Sequence, residues 1–314
     1  MALINFIAKK MGTAVLVFLG TTFLTYGMMS LAPGDAPLEI AMARYGESGL
    51  IDQTVIDWII EKEGLNKPFY QRYYYWLSHA VQLDFGMSLV EEVPVWELIK
   101  SRFSRTFDLA VAAIILALII SIPLGILSGL RQGTWIDSMG TAIAVTGVSM
   151  PSYWLGPVLI VIFSVKLQWL PSFGRGDWQH MALPTITLGT ALTAYTTRIL
   201  RSAIIESLQS DYLLALRARG VGSRLIISSH VLKNAMIPVV TVVGLELGMI
   251  FEGAVITETV FAWPGLGALM VSAVSNRDYP LIQGIVLFTA IIFVLINFLV
   301  DIAYQFLDPR IRPS

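Results

Sequence analysis

The chain contains 314 residues, of which 55% are hydrophobic and 14% charged, and its 21 Lys and Arg residues nearly balance its 22 Asp and Glu residues. Soluble domains carry about 25% charged residues, so water is not the main solvent of this chain. The balanced charge indicates neither a nucleic-acid partner nor an acidic substrate. The absence of cysteine excludes disulfides, thiolate metal sites and cysteine nucleophiles.

Long apolar runs predict an all-α polytopic membrane protein. The hydrocarbon core of a bilayer is about 30 Å thick and needs about 20 apolar residues of helix, because a helix satisfies its backbone polar groups internally. The predicted spans, about six in number, are 7–31, 107–130, 136–165, 183–205, 237–258 and 281–303. Lys9 and Lys10 before the first run also resemble the start of a secretory signal peptide. Since that run continues to Leu31, well beyond a signal-peptide apolar region, we expect an uncleaved first span.

The distribution of Lys and Arg among the short loops predicts the orientation. With the N-terminus inside, the short outer loops hold only Lys166, Arg175 and Arg277. The cytoplasmic side then holds Lys9, Lys10, Arg131, Arg198, Arg201, Arg217, Arg219, Arg224, Lys233, Arg310 and Arg312. We therefore expect a multi-pass protein of the cytoplasmic (inner) membrane with both termini in the cytoplasm.

The stretch 32–105 between the first two spans is predicted to be an external insert that forms a small cap. Residues 51–65 have apolar side chains at helical spacing, and an aromatic cluster follows. The cluster contains Phe69, Tyr70, Tyr73, Tyr74, Tyr75 and Trp76. The cap is either a docking surface for an external partner or a lid packed on the helix ends. The second interpretation is favoured, because Tyr and Trp commonly gather at a membrane interface.

Motifs for enzymatic chemistry are missing from the sequence. It contains no G-x-x-x-x-G-K-[ST] loop to cradle phosphates, and neither H-E-x-x-H nor G-x-S-x-G occurs. His79 and His180 are predicted outside and His230 inside, so the three histidines are not expected to share a site. We expect no catalytic residue, no metal and no cofactor bound by this chain.

The longest cytoplasmic connection, 206–236, is predicted to form an amphipathic helical hairpin. Asp211 is a candidate N-cap, and Gly220 and Gly222 end the first helix. An apolar ridge of Leu213, Leu214 and Leu216 lies beside Arg217 and Arg219, and a second helix begins after Ser223. Such a ridge with a charged rim suits insertion into a groove of another protein. The alternative is a hairpin that lies on the lipid surface, with its arginines at anionic headgroups.

Several motifs together resemble those of the dipeptide, oligopeptide and nickel permeases of type I ABC importers. The first are DYLLALRARG at 211–220 and H-x-L-x-N-A-x-I-P at 230–238. The others, in chain order, are LAPGD (31–35), LDFGMS (83–88), GVSMPSYWLG (147–156), LQWLPSFG (167–174), ETVFAWPGLG (258–267), RDYPLIQ (277–283) and DPRIR (308–312). The resemblance covers essentially the whole chain, residues 1–314, as a single transmembrane permease domain with the type I importer permease fold.

The resemblance implies that 206–236 is a coupling loop that docks into a cytoplasmic ATPase subunit. The residues that match the family loop are Asp211, Tyr212, Ala215, Arg217, Ala218, Arg219 and Gly220. It further implies a homologous second permease subunit, two ATPase subunits that use ATP and Mg²⁺, and an external solute-binding protein. The chain itself would be no enzyme.

Ionisable residues inside apolar spans are costly, so they tend to face a cavity or a partner. Glu246 and Glu252 in the fifth span depart from the uncharged residues expected of the family, and they are candidates for the translocation pathway. The competing interpretation pairs them with basic residues of a neighbouring subunit or leaves them protonated. Pro151 interrupts the third span and is predicted to shape the pathway. Glu258 matches the family pattern and is expected to be structural.

The function predicted from these observations is that of a permease subunit forming half of a translocation pathway for short peptides. Uptake of nickel or a metal chelate by the same mechanism is the alternative, since the family includes both. A self-sufficient secondary transporter is disfavoured, because such transporters commonly have internal repeats and this sequence shows none that convinces.

Overall fold

The computed structural model describes residues 2–31, 35–45, 52–62 and 64–307. These described residues are mainly helical and contain no β-strand, only an isolated bridge between Met87 and Pro94. In chain order the helices are α1 (Ala2–Leu31), α2 (Ala36–Tyr45), α3 (Gln53–Lys62), α4 (Phe69–Ala80), α5 (Val95–Leu130), α6 (Trp135–Ser149), α7 (Ser152–Leu159), α8 (Trp178–Leu208), α9 (Asp211–Ala218), α10 (Ser223–Ile226), α11 (Leu232–Val260), α12 (Leu266–Ser275) and α13 (Tyr279–Leu307). Two π-helical segments, Ile160–Lys166 and Ile227–Val231, directly follow α7 and α10.

The chain divides into two compact units, which are described separately. Unit 1 comprises Met1–Thr106 and Pro264–Leu295, and unit 2 comprises Phe107–Trp263 and Ile296–Ser314. The helices α5 and α13 each contribute residues to both units.

Unit 1 has an apolar core where the first turns of α5 meet α12 and α13. Val95 and Ile99 of α5 are fully buried in this core together with Leu281 and Ile285 of α13. Gly284 allows the close approach, since a Cβ added there would lie 2.6 Å from Val95 Cγ1. The helix of the second span therefore begins at Val95, within the stretch 32–105 assigned above to the external insert. Hydropathy alone did not show this, because Glu97, Lys100, Arg102 and Arg105 alternate with the buried side chains.

Two of the family-like motifs meet in the core of unit 1. The carboxylate of Asp278, from RDYPLIQ, is almost fully buried and accepts a short hydrogen bond from Ser88 Oγ of LDFGMS. It also accepts the backbone N–H groups of Leu89 at 3.1 Å and Leu281 at 3.3 Å. A buried carboxylate requires such partners, and the bond to Leu281 satisfies a free N–H in the first turn of α13.

Unit 2 is built around α8, which packs against α6 and α11. Small residues bring these helices close together. A Cβ added at Gly125 or Gly129 of α5 would lie 2.9 Å and 2.8 Å from the Cβ atoms of Leu200 and Ile204 of α8. At Gly244 of α11 it would lie 2.4 Å from a methyl group of Val300. These glycines serve close packing of helices within this chain.

Length and hydropathy support several membrane spans. Within the described residues, four segments are long and apolar enough to cross a bilayer: Gly12–Leu31, Val95–Leu130, Ser223–Gly248 and Tyr279–Val300. The pair Trp135–Ser149 and Ser152–Lys166 makes a fifth if the two helices form one span bent by 101°. The predicted fourth span lies in α8, which has 31 residues but fails the hydropathy test. Its six threonines and two arginines account for this result.

The second limb of the predicted hairpin is not a separate helix. Helical structure runs from Ser223 through the π-helical segment into α11 and ends only at Val260. Ile226, Val231, Ala235 and Val239 are all buried in one apolar cluster. Because one buried stripe continues across the expected boundary, the chain has no reason to leave the helix there.

Candidate coupling loop and translocation pathway

The candidate coupling helix α9 begins at Asp211, one residue earlier than the sequence predicted. Ser210 has extended backbone angles and occupies the N-cap position, while Asp211 is the first helical residue, so the predicted capping by Asp211 is wrong. The Ser210 hydroxyl donates to the carbonyl oxygen of Ser207, at the end of α8. Asp211 in the first turn still favours the helix, because a negative charge there interacts with the positive end of the helix dipole.

Gly220 ends α9 in a Schellman motif, as the sequence predicted for a terminating glycine. The φ angle of Gly220 is +77°. Its N–H donates to the carbonyl oxygen of Arg217 at 2.9 Å, and the N–H of Val221 donates to the carbonyl oxygen of Leu216 at 3.1 Å. This pair of hydrogen bonds satisfies carbonyl groups in the last turn of the helix. It requires a residue with a left-handed backbone conformation, which glycine adopts most readily. The motif fixes the length of α9 and the direction in which the chain leaves it.

The side chains of α9 divide into a buried and an exposed set. Leu213 is 1% exposed and packs with Ile204 of α8 and Ile226 of α10, and Leu216 is partly buried on the same cluster. The predicted apolar ridge is therefore split, because two of its three leucines face their own chain. Only Leu214, at 63% exposed, remains on the outer face.

The residues predicted to contact an ATPase subunit lie on the exposed face or at the end of α9. This exposed set consists of Asp211, Tyr212, Ala215, Arg217, Ala218, Arg219 and Gly220. The Tyr212 hydroxyl accepts a hydrogen bond from Asn234 Nδ2 at 2.9 Å, which ties α9 to α11. Leu225 of α10 is also exposed and was missed by sequence reasoning. The sequence could not have indicated this exposure, because Leu225 and its neighbour Ile226 are both apolar. Only the fold shows that Ile226 is buried while Leu225 is exposed beside α9.

Pro151 marks a sharp bend between α6 and α7. The two helices are inclined by 101° across this break. Pro151 itself has φ −63° and ψ 138° and is the N-cap of α7. Proline removes a backbone donor and restrains its predecessor from helical angles, which explains why the span breaks here. The helix α7 in turn packs on α11, the helix that carries Glu246.

The candidate pathway carboxylates differ in how far the structure describes them. Glu246 is partly buried on α11. Glu252 lies on the same helix, but its side chain is outside the described residues. Glu258 is fully buried, which agrees with the structural role expected for it.

An ion pair that sequence reasoning missed connects α6 with α8, with Asp137 buried and Arg201 partly buried. The carboxylate of Asp137 is bound by both Nε and Nη2 of Arg201, at 2.5 Å and 2.8 Å. It also accepts the backbone N–H of Gly133 at 3.0 Å and the hydroxyl of Thr141 at 3.5 Å. The available signal was that charged residues within apolar helices almost always pair with one another.

The external insert packs an aromatic face of α4 on α1. Tyr73 makes edge contacts with Phe23 and Tyr26, at centroid distances of 5.8 Å and 5.5 Å, and its hydroxyl is 3.0 Å from Thr22 Oγ1. The opposite face presents Tyr70, Tyr74 and Tyr75 as exposed side chains. A groove of about 1260 Å³ in unit 1 is lined by residues of α1, α3, α4 and the start of α13.

No three His, Asp or Glu side chains come together as metal ligands in the part of the chain that the structure describes.

Comparison with known proteins identifies the class to which this geometry belongs. A model of the family described as "Binding-protein-dependent transport system inner membrane component" matches residues 121–313. Over 310 residues the chain is 38% identical to the glutathione transport system permease protein GsiC of Escherichia coli strain K12 and to that of Salmonella typhimurium strain LT2. Each match covers 99% of this chain and 99% of the relative. The chain therefore belongs to the family of binding-protein-dependent inner membrane transport components.

Solved structures agree on the fold. The MetNI methionine ABC transporter in an inward-facing conformation matches with a TM-score of 0.57 and 18% identity, over 67% of this chain and 96% of that chain. An amino acid ABC transporter with histidines matches with a TM-score of 0.54 and 15% identity, over 67% and 94% of the two chains. Identities this low concern the fold alone, which is that of a type I ABC importer permease.

These findings confirm the family inferred from the motifs. The chain is a permease subunit of an ABC importer and a multi-pass inner membrane protein, in a system that also includes ATPase and substrate-binding components. Its relatives are named as permease proteins, so it is a membrane subunit of a transport system.

Proposed function

We propose that the chain forms half of a translocation pathway for short peptides and pairs with a homologous second permease subunit. Two cytoplasmic ATPase subunits bind the exposed face of α9, and an external solute-binding protein delivers the substrate. The observation that carries the peptide assignment is the 38% identity, over almost the full chain, to permeases named for glutathione, which is itself a tripeptide. ATP and Mg²⁺ are used by the partner subunits alone.

The shape of the coupling loop supports a protein partner over a lipid surface. A helix that lies on a bilayer presents an apolar face to the lipid. Leu213 and Leu216 of α9 are instead buried or partly buried against their own chain, which leaves Leu214 and the small Ala215 and Ala218 outward, with Arg217 and Arg219 beside them. A compact knob with a charged rim suits a preformed groove on a protein.

The orientation follows from this assignment. If α9 meets cytoplasmic ATPase subunits, then both termini lie in the cytoplasm and the exposed tyrosines of α4 face outward. In that orientation Tyr70, Tyr74 and Tyr75 are available to the external binding protein. The bend at Pro151 and the carboxylates Glu246 and Glu252 contribute to the pathway wall.

A co-purification experiment tests the proposed coupling. The full chain is expressed with its cognate permease and ATPase subunits and purified in mild detergent, and the amount of bound ATPase is measured. We expect Ala215→Arg to abolish the association, because a long charged side chain would replace a methyl group on the docking face. Ser229→Arg is the matched control, since it adds the same charge at an exposed position on the other limb of the loop. Retention of ATPase by Ala215→Arg would contradict the assignment of α9.

The substrate is tested through the cognate external binding protein. Ligands that co-purify with it are identified by mass spectrometry, and binding of glutathione and dialanine is compared with that of Ni²⁺. Binding of either peptide supports the proposal. Exclusive binding of Ni²⁺ or of a metal chelate would replace the peptide assignment by its alternative.

A further inference from the structure

The Asp137–Arg201 pair joins α6 to the end of α8 that directly precedes the candidate coupling helix α9. Arg201 is on α8, two helical turns before that helix ends at Leu208. Only Gln209 and Ser210 separate α8 from the coupling helix α9. Both linking residues are hydrogen-bonded to the end of α8, since their N–H groups donate to the carbonyl oxygens of Ile205 and Ser207. The link between Arg201 and α9 is thus ordered along its whole length.

Packing reinforces this link between α8 and α9. Leu200 and Ile204 of α8 share one apolar cluster with Leu213 of α9 and Ile226 of α10. Protein interiors are close-packed and transmit displacement rather than absorb it. A displacement of α9 by a bound ATPase subunit is therefore passed to α8.

Asp137, the other member of the pair, lies on α6, the helix that precedes the bend at Pro151. Asp137 lies in the first turn of α6, and α6 ends at Ser149, just before Pro151. The Asp137 side chain is only 7% exposed. It accepts two N–H groups of one guanidinium, a geometry that fixes orientation as well as distance. Its bond to Gly133 anchors the preceding turn to the same site.

We propose that the Asp137–Arg201 pair is a strut that makes α6 move with α8 and α9, so that ATP-driven displacement of the coupling helix reaches the bend at Pro151. Both are positioning residues, which act through the helices they join and do not contact substrate. The inference rests on the proposed function and adds to it the connection between the ATPase contact and the pathway wall. Without the strut, only the side-chain packing of α6 on α8 remains, and less of the displacement of α8 and α9 reaches α6.

The functional test measures import per ATP hydrolysed in proteoliposomes that contain the complete transporter, with radiolabelled glutathione and dialanine as probes. For Asp137→Asn we expect ATP hydrolysis and subunit assembly to persist while import per ATP falls about tenfold, within the range by which coupling residues act. Glu206→Gln is the matched control, because it removes an exposed carboxylate from the same end of α8. Unchanged import per ATP in Asp137→Asn would overturn the inference.

A double variant separates loss of the strut from the effect of an unpaired buried charge. The double variant Asp137→Asn with Arg201→Gln leaves no charge in the site. Its stability is therefore not lowered by a guanidinium without its carboxylate partner. We expect import per ATP to remain low in this variant. Recovery to the wild-type ratio would overturn the inference, because the site would then need only neutrality.

A distance measurement tests the shared movement directly. The natural chain has no cysteine, so spin labels at Ser138→Cys on α6 and at Gln209→Cys, in the two-residue link between α8 and α9, report one distance within this chain. In the wild-type background we expect one narrow distribution that does not shift between the nucleotide-free and the ATP-trapped complex. With Asp137→Asn added, the distribution should broaden or shift. A shift in the wild-type background would overturn the inference. Failure of the unmodified wild-type transporter to import with ATP would instead contradict the proposed function.

Discussion

At the scale of one residue, the backbone conformation of Gly220 explains where α9 ends. Its φ of +77° lies in the left-handed region, and no atom lies within 4 Å of the position that a Cβ would take. The reason for glycine is therefore conformational and not steric crowding. Gly222 has equally open surroundings but a φ of −63°, which any residue can adopt.

This pair of glycines gives a matched prediction. Gly220→Ala should lower the free energy of unfolding by about 1 kcal/mol, because an L side chain in the left-handed region carries a conformational cost of that order. Gly222→Ala should change it by less than about 0.5 kcal/mol. Thermal unfolding of the purified chain in detergent measures both. Equal losses for the two substitutions would contradict the role assigned to Gly220.

The ion pair of Asp137 and Arg201 shows what single-residue reasoning could have found. Both residues lie near the cytoplasmic ends of spans predicted from hydropathy, 136–165 and 183–205. Pairing of intramembrane charges is a general expectation. The partner was still not predictable, because 64 positions separate the two residues and the sequence offers other arginines near the same level. Only the packing of α6 on α8 selects Arg201.

At the scale of the element, α4 illustrates an aromatic helix with two distinct faces. Tyr73 packs on Phe23 and Tyr26 of α1, whereas the neighbouring Tyr74 is 74% exposed. The sequence predicted an aromatic cluster at the interface but could not assign its faces, because nearly every position from 69 to 76 is aromatic.

These neighbouring tyrosines provide the prediction for the external insert. Tyr73→Ala should lower the free energy of unfolding by about 3 kcal/mol, through loss of aromatic packing and of the contact with Thr22. Tyr74→Ala should have an effect below about 0.5 kcal/mol. Limited proteolysis of the insert and thermal unfolding measure the difference. A larger loss for Tyr74→Ala would show that α4 presents the opposite face to α1.

Element boundaries were predictable where a local signal exists and not where tertiary packing decides. The end of α9 followed from Gly220, and the position of α3 followed from apolar spacing. The start of α5 at Val95 did not, because charged residues lie between and after the two buried positions Val95 and Ile99 and lower the mean hydropathy there. The continuity of α10 with α11 was missed for a related reason: the predicted span began at residue 237, yet helical structure continues across this point and Pro238 lies inside α11.

At the scale of the whole molecule, the order of the motifs identified the family before the fold was known. Ser88 and Asp278 belong to different motifs and lie 190 positions apart in the chain, and their hydrogen bond brings the two motifs together in the fold. Composition predicted a polytopic helical protein, and the type I permease fold agrees. The α8 helix shows the limit of composition, since Thr187, Thr196 and Thr197 are buried and Arg201 pairs with Asp137, which hydropathy alone does not indicate.

The central claim is that this chain supplies a gated membrane path and that separate subunits hydrolyse ATP. Proteoliposomes test it most directly when radiolabelled dialanine uptake and ATP hydrolysis are measured for the complete transporter and for this chain alone. We predict ATP-dependent uptake by the complete transporter, and neither uptake nor hydrolysis by the chain alone. Uptake or nucleotide hydrolysis by the isolated chain would contradict the claim.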